Sequence, residues 1–244
     1  MNFLDLTLPT PAENLACDEA LLDWRETEGG GEILRFWESP EPFVVVGYAN
    51  KVATEANVKA CAENKIPILR RCSGGGTILQ GPGVLNYALI LKIEAGGPTG
   101  GINSANRFIM ERNRAALEAE VRRQQPEARV SVSGHTDLAV DGLKFSGNAQ
   151  RRKKDFLLFH GTFLLNCNLP QIEKYLATPS LQPDYRQGRA HLDFISNLQL
   201  PADAVKRSLC HAWQATDPLA NFPTGQVALL TRDRYVTNGW NLKF

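Results

Sequence analysis

The segment RRCSGGG at residues 70–76 combines two arginines and a serine with three consecutive glycines. Glycine allows backbone N–H groups to converge on a bound anion, because no Cβ stands in the way, and a guanidinium can complete the set of donors. The segment lacks the GKS or GKT of a Walker loop and the GxGxxG pattern of dinucleotide-binding folds. Its residues alone therefore fit two structures equally, a phosphate-binding loop or a tight turn.

A second group of polar residues follows a predicted β-hairpin. Asp141 and Gly142 stand between two short alternating runs and predict a type I′ turn, because both central residues of that turn have positive φ. A lysine just past the turn, as Lys144 is, could hold a carboxylate or acyl-phosphate oxygen and stabilise the charge that develops on it. By itself, Lys144 would be interpreted as a surface lysine. The polar residues that follow it are Ser146, Gly147, Asn148 and Arg151.

Taken together, these segments resemble the two signature segments of the lipoate-protein ligase A family. RRCSGGGTILQGPGVLNYALI is similar to the first and TDLAVDGLKFSGNAQRRKKDFLLFHGTFLL to the second, and their order and separation also agree. Weaker similarity extends over nearly the whole chain. It includes VVVGYANKVATEAN before the glycines and DRYVTNGWN near the C-terminus.

The resemblance implies an α+β fold of the biotin/lipoate ligase catalytic type, in which a mixed β-sheet is flanked by helices and an apolar tunnel holds the acyl chain. It implies that lipoate or octanoate is activated with ATP and Mg²⁺ to an acyl-adenylate. The acyl group then passes to a lysine on a lipoyl domain of a 2-oxoacid dehydrogenase or on the glycine cleavage H protein. Because two anions meet in the first step, such a site needs cations and backbone donors.

The resemblance also implies roles for individual residues. Lys144 is expected to contact the carboxyl or adenylate oxygen, and Asp137 to contact a metal or the nucleotide. His160, in the HGT segment, is interpreted as structural because it stands between apolar strand residues. The residues expected to line the acyl and adenylate pocket are Arg71, Ser73, Gly74, Gly75, Gly76, Gln80, Ser146, Gly147, Ala149 and Arg151.

Three features depart from the family pattern. Gln80 stands where the family usually has histidine, which removes any role that requires an imidazole. GYAN replaces the usual GRxQ, so Tyr48 and Asn50 are expected to change contacts to the nucleotide or acyl group. The chain stops at Phe244 without the small accessory domain of many family ligases. We therefore expect either that the protein needs a separate accessory subunit or that it does not form an acyl-adenylate.

Two alternative functions stay open. An octanoyltransferase or lipoyl-amidotransferase on the same fold would take the acyl group from a carrier protein through a cysteine thioester, without ATP. In cysteine-dependent relatives that thiol lies shortly upstream of the lysine hairpin, where this chain has VSVSGHTDL. Cys72, beside Arg71, is the remaining candidate and is expected to be a buried packing residue. The other alternative is a protein that binds an acyl group or a nucleotide without catalysis. The chain keeps Lys144 and the polar residues of the glycine segment, which argues against this alternative.

Hydrophobic patterning predicts the elements that must position these residues. Strands are expected in EILRFW, FVVVGY, IPILRR, VLNYALILK and FLLFHGTFLLNC, and helices in TPAENLACDEALLDW, TEANVKACAENK, NSANRFIMERNRAALEAEVRRQ, QIEKYLA, ADAVKRSLCHAWQAT and TGQVALLTRDRY. Without an internal repeat or a composition shift, residues 1–244 are interpreted as one α+β domain. PDYRQGRAHLDFISNL is expected to be a plain surface loop, with gating of the pocket by its charged residues Arg186, Arg189 and His191 as the alternative. RRKK at residues 151–154 is expected to be a solvated basic run, with docking of an acidic lipoyl domain as a further hypothesis.

Bulk composition excludes several classes of protein. The 27 basic and 26 acidic residues nearly balance, which argues against a nucleic-acid or membrane partner bound by net charge. Five scattered cysteines without CxxC spacing favour reduced thiols and a cytoplasmic protein. No apolar run approaches the length that spans a bilayer.

Overall fold

Two β-sheets form the framework of this computed structural model, which describes residues 1–179 and 181–244. The strands are β1 (Asn2–Asp5), β2 (Ile33–Trp37), β3 (Phe43–Val46), β4 (Ile68–Arg70), β5 (Ile78–Gln80), β6 (Val84–Lys92), β7 (Val130–Ser133), β8 (Asp137–Val140), β9 (Leu143–Arg152), β10 (Phe156–Leu164) and β11 (Asp217–Pro218). The α-helices are α1 (Pro11–Glu28), α2 (Val52–Glu55), α3 (Val58–Glu63), α4 (Ile102–Gln124), α5 (Leu169–Tyr175), α6 (His191–Phe194), α7 (Ala202–Trp213), α8 (Thr224–Leu230) and α9 (Asn238–Asn241). No helix in these ranges is both long and apolar enough to cross a membrane.

Both sheets mix parallel and antiparallel pairs. The large sheet has the strand order β11-β1-β2-β6-β10-β9-β8-β7, and the small sheet has the order β4-β3-β5. In the large sheet β1 runs parallel to β2 and β11, whereas the pairs from β2 to β7 are antiparallel. The predicted α+β class, a mixed sheet flanked by helices, is confirmed.

Helices cover both faces of the large sheet. On one face, Leu15 and Leu21 of α1 pack in a cluster with Ile90 of β6. On the other face, Ile109 of α4 packs with Leu89 of β6, together with residues of α7. A strand buried on both sides has no polar face, which explains why β6 is an almost continuous apolar run.

The predicted hairpin between β8 and β9 is confirmed. Asp141 has φ 49° and Gly142 has φ 78°, as a type I′ turn requires, and Val140 pairs with Leu143. This turn brings Lys144 to the beginning of β9. Helix α1 begins with a capping box, because Thr10 Oγ1 accepts from the Glu13 N–H and the Glu13 carboxylate accepts from the Thr10 N–H.

Other sequence predictions are wrong in detail. The helix predicted in TEANVKACAENK is two short helices, α2 and α3, because Ala56 forms an isolated β-bridge with Leu176 and the Asn57 side chain caps α3. Strands β1, β5 and β11 were not predicted, because runs of four, three and two residues are too short to show a period.

Candidate active site

Paired residues of the large sheet form the floor of a cavity of about 840 Å³. Trp37 on β2 pairs with Asn86 on β6, which pairs with Thr162 on β10. Thr162 pairs with Gly147 on β9, which pairs with Asp137 on β8. Directly paired residues point to the same side of a sheet, so one row of five positions faces the cavity.

A second row lies two residues away along the same strands. It contains Arg35 on β2, Ala88 on β6, His160 on β10 and Ala149 on β9. Because side chains alternate along a strand, this row shares a face with the first. His160 and Ala149 line the cavity directly.

The glycine loop closes one side of the cavity. Gly75 has φ 85°, a backbone conformation that favours glycine. The loop also passes close to the end of β3, because a Cβ at Gly47 would lie only 2.1 Å from the Gly75 carbonyl oxygen. Asn50 Nδ2 donates to the same carbonyl at 3.1 Å. Asn50, which stands in the family's glutamine position, therefore supports the loop.

The two adjacent arginines have different environments. Arg71 lines the cavity and holds the loop, because its Nη2 donates to the carbonyls of Gly74 at 2.6 Å and Gly76 at 2.7 Å. Burial lowers the pKa of Arg71 to about 10, so the guanidinium remains charged at neutral pH. Arg70 is fully buried elsewhere, and its guanidinium donates to the carbonyls of residues 47, 48, 50, 240 and 241. Of the two arginines, Arg71 therefore lines the cavity, whereas Arg70 holds together backbone segments of the fold.

Lys144 also lines the cavity, where it belongs to a polar cluster. Its Nζ is 2.8 Å from Asp137 Oδ1, and Asp137 Oδ2 accepts from the Tyr185 hydroxyl at 2.8 Å. Burial and the neighbouring Asp137 carboxylate raise the pKa of Tyr185, which keeps this phenol protonated. A Cβ at Gly147 would lie 2.9 Å from Lys144 Nζ, so a side chain at this position would displace the ammonium.

A hydrogen-bonded chain that includes two residues of the cavity lining, His160 and Asp18, connects the glycine loop to α1. Ser73 Oγ lies 2.5 Å from His160 Nε2, and His160 Nδ1 lies 3.3 Å from Asp18 Oδ2. Asp18 also pairs with Arg35. Burial opposes the charge of Asp18, but Arg35 and His160 together hold the pKa of that carboxyl below its ordinary value. Because a carboxylate only accepts, His160 Nδ1 is the donor in the contact with Asp18.

The remaining predicted residues lie on β9 and β5. Asn148 Nδ2 donates to Ser146 Oγ at 3.2 Å. The Arg151 guanidinium reaches back to the glycine segment and donates to the Cys72 carbonyl at 2.7 Å. Gln80 and Asn86 form a reciprocal amide pair, with N···O distances of 2.6 and 3.0 Å. Gln80, at the position where the family usually has histidine, is therefore part of a neutral, buried pair.

The structure brings most of the predicted residues to one cavity. Ser73, Gly74 and Arg151 are not among the described lining residues. Ser73 and Gly74 contact His160 and Arg71, which are. Their roles in binding or catalysis stay predictions. The predicted residues that line the cavity are Arg71, Gly75, Gly76, Gln80, Asp137, Lys144, Ser146, Gly147 and Ala149.

The donor set around Asp137 does not fit a resident metal ion. In the part of the chain that the structure describes, no group of three or more His, Cys, Asp or Glu side chains could hold one. Both carboxylate oxygens of Asp137 are engaged, one by Lys144 and one by Tyr185. A metal contact at Asp137 stays a prediction, and it would require one of these partners to be displaced.

All five cysteines are free thiols, and none is among the described residues that line the cavity. Burial raises the pKa of Cys72 to about 12 and that of Cys17 to about 11. Both thiols therefore stay protonated at neutral pH. A catalytic thiolate would need the opposite shift.

Residues 10–211 match the sequence model of the lipoyl protein ligase A/B catalytic domain. The chain belongs to this family.

Similar proteins in the family carry different names. Octanoyltransferase LipM of Halalkalibacterium halodurans is 24% identical over 271 residues, covering 99% of this chain and 98% of the relative. A putative lipoate protein ligase of T. acidophilum with bound lipoic acid has a TM-score of 0.79 at 21% identity, with full coverage of both chains. A lipoate-protein ligase A bound with ATP has a TM-score of 0.77 at 22% identity, with 99% of each chain covered. A bi-partite lipoate protein ligase from Thermoplasma acidophilum, studied with its E2 lipoyl domain, has a TM-score of 0.76 at 22% identity, covering 99% of this chain and 96% of that one.

Sequence reasoning missed part of this family site. The segment predicted as a plain surface loop forms a wall of the cavity through Tyr185, His191 and Phe194, so that interpretation is wrong. His160 and Thr162 were also left out of the predicted pocket, although two alternate polar residues in an otherwise apolar strand indicate one polar face.

The basic run that ends β9 is mostly engaged within the chain. Arg151 and Arg152 donate to backbone carbonyls, and Lys153 pairs with Asp23 at 2.6 Å. The expectation of a solvated run therefore fails for these three residues. Docking of a lipoyl domain at this run stays a hypothesis.

Proposed function

We propose that this protein activates a medium-chain acid such as lipoate with ATP and transfers the acyl group to a lysine of a lipoyl domain. The observation that carries the proposal is the convergence of Lys144 and the glycine loop on one cavity. The cavity size of about 840 Å³ falls within the range of small-molecule sites. The similar structures with lipoic acid and with ATP support the same substrates.

The first half-reaction joins two anions. A carboxylate oxygen of the acid attacks the α-phosphorus of ATP, and pyrophosphate leaves. Lys144 would hold the carboxylate and compensate the charge at the bridging oxygens, while Asp137 and Tyr185 fix the position of its ammonium. Arg71 would keep the loop carbonyls turned toward its own guanidinium, which leaves the opposite side of the loop backbone for the phosphate.

The second half-reaction moves the acyl group to the acceptor. The ε-amine of the acceptor lysine attacks the acyl carbonyl, and AMP leaves with the electrons of the broken C–O bond. The same Lys144 ammonium would stabilise the oxyanion and the departing phosphate. Magnesium enters this scheme as part of the ATP substrate, because Mg²⁺ is commonly held by substrate phosphates with few protein carboxylates.

The second candidate function is octanoyl transfer from a carrier protein. The LipM relative favours it, because the similarity covers nearly both whole chains. Transfer through a cysteine thioester requires an accessible thiolate, and the buried, protonated Cys72 thiol is a poor nucleophile. We therefore prefer the ATP-dependent reaction. A separate accessory subunit is part of the proposal, since a similar fold occurs in a bi-partite ligase.

A mass-spectrometric assay of acyl transfer tests the proposal. Purified protein is incubated with an apo lipoyl domain and either lipoate with MgATP or octanoyl carrier protein, and the acceptor is weighed. We expect the lipoyl mass increase only with lipoate and MgATP, together with release of pyrophosphate. If adenylation proceeds but transfer does not, adding an accessory subunit from a bi-partite system should restore it.

The other outcomes identify the alternatives. Modification only from the octanoyl carrier would contradict the ligase proposal and establish the transferase. Modification from neither donor, with tight binding of a non-hydrolysable acyl-adenylate analogue, would establish a binding protein. A Lys144→Met variant serves as the negative control for both donors.

A further inference from the structure

The glycine loop is supported by the turn at residues 47–50, which follows β3. The Tyr48 N–H donates to the Ser73 carbonyl at 2.8 Å, and Asn50 Nδ2 donates to the Gly75 carbonyl at 3.1 Å. Because each peptide unit is planar, a bond that holds a carbonyl also sets the direction of the N–H of the next residue. The turn therefore controls where N–H groups of the loop point.

A single buried guanidinium holds this turn. Arg70 Nη1 lies within hydrogen-bond distance of the carbonyl oxygens of residues 47, 48 and 50, at 2.8, 3.1 and 2.8 Å. Hydrogen bonds from a charged donor are about twice as strong as neutral ones. Arg70 is fully buried and is not among the described residues that line the cavity, so its effect on a ligand would be indirect.

The other edge of the guanidinium is bound by the segment at residues 240–244, which begins 170 residues further along the chain. Arg70 Nε donates to the Trp240 carbonyl at 3.2 Å, and Nη2 donates to the Asn241 carbonyl at 3.1 Å. In return, Trp240 Nε1 donates to the Arg70 carbonyl at 2.8 Å, and Asn241 Oδ1 accepts from the Arg70 N–H at 3.0 Å. One arginine therefore joins the turn to a distant segment through both its side chain and its backbone.

Lys243 covers the outer surface of this joint. Its Nζ lies 3.6 Å from the ring centroid of Tyr48 and 4.0 Å from that of Trp240, which are cation–π contacts. The Val52 N–H also donates to the Phe244 carbonyl at 3.1 Å. Tyr48 stands where the family usually has arginine, but it is not among the described residues that line the cavity. Its side chain contacts the segment at residues 240–244 instead.

We propose that Arg70 is a positioning residue, which joins the turn at residues 47–50 to the segment at residues 240–244 and so fixes the glycine loop for the phosphate of the adenylate. The inference rests on the proposed function, which assigns that phosphate to the loop. Lysine is no substitute, because a compact ammonium does not reproduce the planar fork that spans both partners. A misplacement of about 1 Å can lower a rate about 100-fold, so the anchor of the loop matters for adenylation.

Binding measurements on the purified protein test the inference. The probes are lipoate without nucleotide and a non-hydrolysable acyl-adenylate analogue. In Arg70→Lys we expect the analogue to bind about tenfold more weakly, because the loop that holds its adenylate group is displaced. Lipoate should bind within about twofold of wild type, because it carries no adenylate group.

Arg25→Lys is the matched control. Arg25 is also buried, its Nη1 donates to the Gly29 carbonyl, and it is not among the described lining residues. Both probes should bind to this variant as to wild type. A folded Arg70→Lys variant that keeps its affinity for the analogue, or loses affinity for both probes equally, would overturn the inference and leave the proposed function intact. Wild-type protein that binds neither probe would overturn both.

Trp240→Phe is the second variant, and it decides the question if Arg70→Lys does not fold. It removes the indole N–H that donates to the Arg70 carbonyl and keeps an aromatic ring beside Lys243. We expect the analogue to bind about threefold more weakly, with lipoate unchanged. Combined with Asn50→Ala, which removes the bond to Gly75, the loss should be smaller than the product of the two single losses, because both act through one turn. An unchanged affinity for the analogue in Trp240→Phe, or a full product in the double variant, would overturn the inference.

Discussion

The two ends of the cavity are built from different chemistry. At the near end, Lys144, Asp137 and Tyr185 form a polar cluster that connects β8, β9 and the segment after α5. At the far end, Trp37, Gln80 and Asn86 are neutral and buried. The near end faces the carboxylate and phosphate that all proposed substrates share, whereas the far end faces the part in which acids differ. This difference suggests that the near end determines the rate and the far end determines the choice of acid.

The largest expected effect comes from removing the charge at the near end. Lys144→Met should lower adenylation of every acid by about 100- to 1000-fold, because one preorganised donor to developing charge is worth that much. The ratio between acids should stay constant. Pyrophosphate release with lipoate and with octanoate measures both quantities.

Lys153 provides a matched control for this substitution. Its side chain is 30% exposed against 28% for Lys144, and it also pairs with an aspartate, Asp23. Lys153→Met should therefore leave adenylation near the wild-type rate. An equal loss in both variants would mean that Lys144 acts through general stability and not through its position in the cavity.

The second prediction concerns the space that Lys144 needs. Gly147→Ala would put a Cβ 2.9 Å from Lys144 Nζ and push the ammonium away from the carboxylate of the bound acid. Adenylation should fall about 10- to 100-fold, because small displacements of a catalytic group are expensive. Gly225→Ala, where a Cβ meets no atom within 4 Å, is the control. A crystal structure of the variant with Lys144 unmoved, together with normal activity, would contradict this role of Gly147.

Local patterns predicted the near end better than the far end. The Asp141-Gly142 turn and the glycine segment identify their own conformations, because each depends on backbone angles of a few neighbouring residues. The far end depends on the register of β2, β6 and β10, which is set by tertiary packing of distant segments. Asn86 in the otherwise apolar β6 was the available signal, but its partner Gln80 becomes visible only in the folded chain.

The adjacent arginines illustrate the same limit. Arg70 ends β4 and Arg71 follows it, so strand alternation sends their side chains to opposite sides. Sequence alone does not tell which side faces the ligand. The buried carbonyls around Arg70 come from β3's end and from the C-terminal helix α9, more than 20 residues away in both directions.

A smaller effect is expected at the far end. Gln80→Met removes the partner of Asn86 and should lower the free energy of unfolding by about 1–2 kcal/mol, because a buried amide is left unsatisfied. The maximal adenylation rate should change little, while the ratio of kcat/KM between two acids changes, because both amides line the cavity. Chemical denaturation and the kcat/KM ratio of two acids measure these effects.

The double variant Gln80→Met/Asn86→Leu sharpens this test. Replacing both polar partners by apolar residues of similar size can be nearly neutral, so much of the lost stability should return. Asn86 also donates to the Val84 carbonyl, which limits the recovery. If the double variant loses more free energy of unfolding than the two single variants lose together, the amide pair does not act as a unit.

The smallest effect should come from Cys72, which is buried and is not among the described residues that line the cavity. Burial raises the pKa of this thiol to about 12, so at pH values up to 9 it remains protonated and a poor nucleophile. Cys72→Ala should keep lipoate- and ATP-dependent transfer within about twofold of wild type, since a buried cysteine acts as a small apolar residue. Cys61→Ala, another buried thiol outside the cavity, controls for lost packing. Loss of acyl transfer in Cys72→Ala alone, with adenylation intact, would point to a thioester at Cys72 and reassign the near end to transferase chemistry.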